Sequence, residues 1–213
     1  MREVSTEFHS GSLTLEGVLC MPEESDPRPA VIVCHPHPLY GGSMDNNVVN
    51  CLCSALKAES LISFKFNFRG VGRSQGDFGN GAGEQEDVSS AISFITTLSE
   101  VDPERVGLIG YSAGAAFALP VGCEDPRIKA LGATSPPLAM FDFEFLTGCA
   151  KPKILISGSR DDFTPAGHFV EFCQNLPNPI EYDLIEGADH FWWGYEPEMA
   201  RKTAAFFAKT LNH

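Results

Sequence analysis

The 213-residue chain predicts an α/β protein: a mostly parallel β-sheet with helices on both faces. Three observations carry that expectation. Short apolar runs bounded by turn residues alternate with longer stretches of helical periodicity. The aperiodic segments 36–46, 70–83, 135–152 and 158–164 follow, or nearly follow, the apolar runs. Loops beyond carboxyl strand ends are where such sheets bind ligands. At 43% hydrophobic and 20% charged residues, the composition is that of a globular protein rather than a disordered or fibrous one. The length suits a single domain over 1–213 and offers no obvious material for a second.

Taken in order, residues 4–10 and 13–21 read as an opening antiparallel pair. The runs 30–34, 62–68, 106–111, 128–134, 154–157 and 180–185 read as successive buried strands. Between them, Val49, Leu52, Cys53 and Leu56 fall at i, i+3, i+4 and i+7, as do Val88, Ala91, Ile92 and Ile95. The same spacing recurs at Phe169, Phe172, Cys173 and Leu176. A final amphipathic helix over about 197–211 turns Ala200, Ala204, Phe207 and Leu211 inward. No internal repeat or low-complexity linker interrupts the pattern.

A net charge of -13 opposes the broad basic surface that nucleic-acid binding needs. The first ten residues lack the continuous apolar core of a signal peptide, and no later run is long enough to span a bilayer. The expected compartment is the cytoplasm, with no membrane partner; a homo-oligomer is compatible with the sequence. Seven cysteines cannot all pair, and most lie among apolar residues, so reduced core thiols are expected. Cys51 and Cys53, two apart in a helix, point to different sides and do not share a metal.

The chemistry begins at Gly110-Tyr111-Ser112-Ala113-Gly114, between the apolar run 106–109 and an alanine-rich stretch suited to a helix start. In this strand-turn-helix context Ser112 sits in a strained turn that presents its hydroxyl, and flanking glycines let strand and helix cross closely. The Ala113 N–H then points at a developing oxyanion, assisted by the helix N-terminus. A serine nucleophile needs a base and an orienting carboxylate. His190, in Gly187-Ala188-Asp189-His190-Phe191, lies on the loop between the last strand and the final helix. For the acid, Asp161 and Asp162 both follow the run 154–157. Asp161 is nearer the strand end and is preferred, with Thr164 as N-cap and Pro165 as first residue of the next helix.

With these residues the chain resembles the α/β-hydrolase superfamily over essentially its whole length. More narrowly it resembles a small dienelactone-hydrolase-like group. The segments that carry the resemblance are Cys34-His35-Pro36-His37-Pro38-Leu39-Tyr40-Gly41-Gly42-Ser43-Met44, Phe66-Asn67-Phe68-Arg69-Gly70-Val71-Gly72-Arg73-Ser74, and Gly81-Ala82-Gly83-Glu84. The resemblance implies an eight-stranded sheet, a triad of Ser112, His190 and Asp161, and no cofactor. It also implies a second oxyanion donor just after His35-Pro36, which in this chain matches His37. Pro36 and Pro38 have no N–H, and Leu39 or Tyr40 remains an alternative donor.

Two other site readings are weaker. His35 and His37 form an H-x-H pair, yet no nearby carboxylate or third histidine completes a metal site. Arg69-Gly70-Val71-Gly72-Arg73-Ser74 has glycines and cations but lacks the ending and helix start of a phosphate loop. The expected activity is hydrolysis of small, accessible esters through an acyl-enzyme. The segment 135–152 is too short for a cap domain, so the site is expected to be open. Its walls are drawn from Tyr40, Phe141, Phe143, Phe163, Trp192 and Trp193, which favour an apolar group. The rival readings are a non-catalytic binding protein of the same fold, and a thioesterase, lactonase, amidase or acyltransferase using the same triad.

Overall fold

The computed structural model describes residues 2–21 and 26–212. Strands β1 (Arg2–Ser10) and β2 (Leu13–Met21) form an antiparallel hairpin with Phe8 opposite Leu15. The other strands are β3 (Arg28–Cys34), β4 (Ile62–Phe66), β5 (Val101–Tyr111), β6 (Ile128–Thr134), β7 (Lys153–Gly158) and β8 (Ile180–Ile185). They join one sheet in the order β1-β2-β4-β3-β5-β6-β7-β8. β2 meets β4 antiparallel, and every later pairing is parallel.

Side chains alternate across the sheet and so feed two separate apolar layers. On β3, Ala30, Ile32 and Cys34 face one layer while Val31 and Val33 face the other. The first layer is covered by α2 (Ala82–Ile95), α3 (Ala113–Glu124) and α4 (Ala166–Gln174), the second by α1 (Asn47–Ala58) and α5 (Glu196–Leu211). The apolar stripes read from spacing are the buried ones: Val88, Ala91, Ile92 and Ile95 on α2, and Ala200, Ala204, Phe207 and Leu211 on α5. Cys53 on α1 and Phe172 on α4 are only half-buried.

Three sequence expectations are corrected. β8 is not a buried strand: it pairs with β7 alone at the sheet edge, and Glu181 and Tyr182 are exposed. Its charged residues fit an edge, where one side of the ladder meets water. β4 stops at Phe66 because the next two residues turn to other partners. Asn67 takes the Met44 N–H on its side-chain oxygen and donates to Glu16, while the Phe68 N–H donates to His35. Finally, α4 begins at Ala166 with Pro165 as its N-cap, one residue later than expected. Thr164 does not cap it, because its hydroxyl donates to the Pro136 carbonyl at 2.6 Å.

The Arg69–Ser74 loop is held by structure rather than open to phosphate. Arg69 grips the fully buried Asp87 through its backbone N–H and its guanidinium, and Arg73 pairs with Glu16 at 2.8 Å. Among the described residues, no helix is long and apolar enough to cross a membrane.

Candidate active site

β5 delivers the chain into α3 through a turn in which Ser112 has φ 55° and ψ -128°. Such a backbone conformation costs a non-glycine residue about 1–3 kcal/mol and persists only when its surroundings enforce it. Here they do. The Ser112 N–H donates to the Thr134 carbonyl on β6 at 2.9 Å. A Cβ on Gly110 would lie 2.3 Å from the Ala115 nitrogen, and one on Gly114 would lie 2.4 Å from the His35 carbonyl oxygen. Both positions admit only glycine, so that β5, α3 and the end of β3 can pack backbone to backbone.

Ser112 Oγ lies 2.9 Å from Nε2 of His190, and Nδ1 of His190 lies 2.9 Å from both carboxylate oxygens of Asp161. Asp161 is buried, whereas Asp162 is exposed on the same loop. Oδ1 of Asp161 also accepts the N–H groups of Phe163 and Thr164, at 2.9 and 3.1 Å. Burial alone pushes this carboxyl up, but hydrogen bonding and charge from His190, with hydrogen bonds from Ser135 and Phe163, hold it below its ordinary value. An ionised carboxylate on Nδ1–H leaves Nε2 as the acceptor facing the serine hydroxyl.

The loop carrying His190 is anchored at two points. Asp189 Oδ1 accepts from the Phe191 and Trp192 N–H groups, and the buried Tyr111 hydroxyl donates to the His190 carbonyl at 2.8 Å. Burial pushes the Tyr111 phenol upward, so it remains a donor.

Ala113 and His37 both line the cleft that contains Ser112, and among the described residues neither backbone N–H meets an acceptor. The alternative donors are already engaged: the Leu39 N–H donates to His37 Nδ1 and the Tyr40 N–H to the His37 carbonyl. Since His37 Nδ1 accepts, the ring proton sits on Nε2, and burial depresses its basicity so that the ring stays neutral. His35 is no ligand. Its ring is fully buried, lies 2.6 Å from the Pro36 carbonyl through Nδ1, accepts the Phe68 N–H on Nε2, and is pushed by burial down to about 4. Among the described residues no group of histidine, cysteine or carboxylate side chains is arranged to hold a metal.

The cleft encloses about 630 Å³. Tyr40, Phe141 and Phe163 line it, as the sequence suggests; Pro137, Met140, Phe191 and Asn46 line it too and were not anticipated. Trp192 does not line it, and this corrects the sequence reading. Its φ of 66° turns the indole into the core, with no exposure, where Nε1–H donates to Ser135 Oγ at 3.0 Å. Phe143 is also core, and Trp193 is exposed outside the cleft lining. Adjacency to His190 singles out Phe191 as readily as Trp192. Nothing in the spacing marks Met140, which lies in an aperiodic loop.

Residues 14–170 match the family model of the X-Pro dipeptidyl-peptidase (S15 family). The chain belongs to this family. The matched span contains Ser112 and Asp161 and ends before His190. This family member is 36% identical over 194 residues to an uncharacterized protein of Rickettsia prowazekii (strain Madrid E), covering 86% of this chain and 77% of that one. It is similar to an alpha-beta serine hydrolase homologue from Coxiella burnetii, with a TM-score of 0.86 and 32% identity over 96% of this chain and 97% of the other. A serine hydrolase without lid from Xanthomonas campestris shares the fold, with a TM-score of 0.87 and 24% identity over 100% and 97% of the two chains. The chain is thus an α/β hydrolase, with an eight-stranded, mostly parallel sheet.

Proposed function

We propose that this protein is a carboxylesterase acting on small, accessible esters through Ser112, His190 and Asp161. The observation that carries the reading is the unbroken series of 2.9 Å contacts from Ser112 Oγ through the His190 ring to Asp161, opening on a cleft. Ser112 Oγ attacks the ester carbonyl carbon while its proton passes to His190 Nε2. The Ala113 and His37 N–H groups receive the charge that develops on the carbonyl oxygen. His190 then gives its proton to the departing alkoxide, leaving an acyl-enzyme. Water attacks that ester, again losing its proton to His190, and the carboxylic acid leaves as Ser112 regains its hydrogen. Asp161 stays ionised throughout.

The cleft also narrows the substrate. Among the described residues its lining includes no lysine, arginine, aspartate or glutamate, and Tyr40, Pro137, Met140, Phe141, Phe163 and Phe191 make it predominantly apolar. An uncharged acyl or alkyl group suits such walls. Family membership favours a second reading, removal of dipeptides from peptide amino termini. A free peptide amine calls for a carboxylate partner, and among the described residues the lining offers none. Esters are therefore preferred.

The test is labelling by a fluorophosphonate probe together with turnover of short-chain p-nitrophenyl esters and an X-Pro p-nitroanilide. Wild type is expected to label and to cleave the esters, and Ser112→Ala to do neither. Pure folded wild type that neither labels nor turns over esters would sink the proposal. Cleavage of the anilide in preference to the esters would favour the peptidase reading.

A further inference from the structure

An ester lies across such a triad in one sense only. The oxygen that leaves must take its proton from His190 Nε2, so the alcohol half of the substrate sits beside that ring and the acyl half extends away from it. The cleft side chains packed around the His190 ring therefore face the alcohol. Two rings do so: Phe163, with its centroid 4.5 Å from that of His190 and an interplanar angle of 49°, and Phe191, at 5.7 Å and 86°. A third, Tyr111 at 5.8 Å, is buried and holds the His190 carbonyl.

The other two aromatic walls belong to a separate group. Tyr40 lies 4.8 Å from the His37 ring, and Phe141 lies 6.0 Å from Phe117, which is 6.2 Å from His37. Among the described residues no ring contact joins this group to Phe163 or Phe191. The aromatic lining thus divides about Ser112, with one pair of rings at the base and the other away from it. The second pair is left for the acyl group.

Phe163 and Phe191 are also fixed in place before substrate arrives. The Phe163 N–H donates to Asp161 Oδ1 at 2.9 Å, and its carbonyl accepts the Ala139 N–H at 3.3 Å. The Phe191 N–H donates to Asp189 Oδ1 at 2.9 Å, and its carbonyl accepts from the Asn47 side chain at 3.4 Å. On these held backbones the two side chains remain 38% and 54% exposed. Apolar rings left open beside a reacting centre are covered when an apolar group binds there, and a second aromatic ring adds edge and face contacts to that burial.

We propose that Phe163 and Phe191 form the alcohol subsite of the cleft and select esters of aromatic alcohols, with the acyl group along Tyr40 and Phe141. The assignment rests on the esterase reading above and deepens it. When the tetrahedral adduct collapses, the bond from the carbonyl carbon to the alcohol oxygen breaks and its electron pair stays on that oxygen. His190 Nε2 gives the same oxygen the proton taken from Ser112, and the alcohol departs neutral. An arylmethyl group on that oxygen reaches both phenylalanine rings, whereas a methyl group is too small to cover them.

The experiment compares benzyl butyrate with methyl butyrate by titration of the acid released. Both esters pass through the same butyryl-enzyme, and their alcohols are of similar acidity, so the ratio of their kcat/KM values reads contacts made by the alcohol. Wild type is expected to favour the benzyl ester about tenfold or more. Phe163→Ala and Phe191→Ala keep the backbone hydrogen bonds and remove the rings. Each should lower the benzyl-to-methyl ratio about threefold or more, and the double variant should bring it toward one. The ratio of methyl hexanoate to methyl acetate should change less than this in the same variants and more in Phe141→Ala. The wild-type ratio tests the subsite without any variant.

A wild-type ratio near one would overturn the proposal. An equal loss on both butyrates in the folded variants would also overturn it, by showing that the rings only support His190. A change in the hexanoate-to-acetate ratio with the benzyl-to-methyl ratio intact would place the rings on the acyl side instead, with the same consequence. Each of these results leaves the esterase reading standing. A folded wild type that neither labels with a fluorophosphonate nor turns over either butyrate would bring down both.

Discussion

On the proposed mechanism, replacing Asp161 with Asn changes few atoms and, through the geometry of one loop, should disable His190 as the base. The side chain is clamped by two backbone donors, the Phe163 and Thr164 N–H groups, both on Oδ1. An amide in the same position keeps its oxygen there, since turning its NH2 toward two N–H groups would leave all of them unpaired in a buried site. The NH2 is then presented to His190 Nδ1, which must accept. Nε2 consequently carries the ring proton and, 2.9 Å from Ser112 Oγ, offers a donor where the serine proton needs an acceptor. This wrong-tautomer effect is associated with a loss of about 10⁴ in kcat, or about 5.5 kcal/mol of transition-state stabilisation. Asp162→Asn, on an exposed side chain, should stay within about twofold. Steady-state p-nitrophenyl ester kinetics from pH 5 to 9 on both variants, with circular dichroism to establish folding, makes the comparison. The reasoning fails if folded Asp161→Asn retains more than about a tenth of wild-type kcat, or if only Asp162→Asn loses activity.

Gly114→Ala places a Cβ 2.4 Å from the His35 carbonyl oxygen and 2.6 Å from that of Cys34, backbone atoms at and just beyond the end of β3 that cannot rotate away. It should lower the urea unfolding free energy by about 2–3 kcal/mol and abolish fluorophosphonate labelling, because β3 and α3 must separate at the elbow. At Glu16, burial raises the carboxyl, but the Arg73 amide and guanidinium together with Asn67 outweigh it and leave the group below its ordinary value. A depressed folded-state value contributes stability above the ordinary carboxylate range and loses it as the pH falls through the folded-state value. The urea midpoint is therefore expected to be level between about pH 7 and pH 5.5 and to fall below about pH 4, with a shallower fall in Glu16→Gln. Met140→Asp puts a charge on an exposed, apolar part of the cleft wall. KM for a hexanoyl ester should rise about fivefold with kcat within about twofold, and an unchanged KM would remove Met140 from the acyl-binding surface.

What the sequence conveys, and what it leaves out, divides along a physical line. Ser112, His190 and Asp161 could be singled out because each follows an apolar run at a turn, where local sequence chemistry and strand order act together. The helical stripes of α2 and α5 were readable because apolar spacing reports burial directly. β8 misled because six residues with apolar ends look alike whether a strand has one neighbour or two; only its pairing with β7 alone exposes Glu181 and Tyr182. Trp192 misled for a different reason. Its direction is set by a φ of 66°, and periodicity arguments assume that each residue keeps an ordinary backbone. The described non-glycine residues with positive φ are Ser60, Asn80, Ser112, Ser135 and Trp192, and the last three converge on the Ser112–His190–Asp161 cluster. Backbone strain of this kind is retained where surrounding contacts enforce it, and here those contacts connect the serine turn, the end of β6 and the loop that carries His190. Of these three, Ser112 is legible because its turn carries a glycine-flanked motif, whereas nothing in the local pattern marks Ser135 or the direction of Trp192, and a pattern-based reading fails there because the backbone departs from the ordinary.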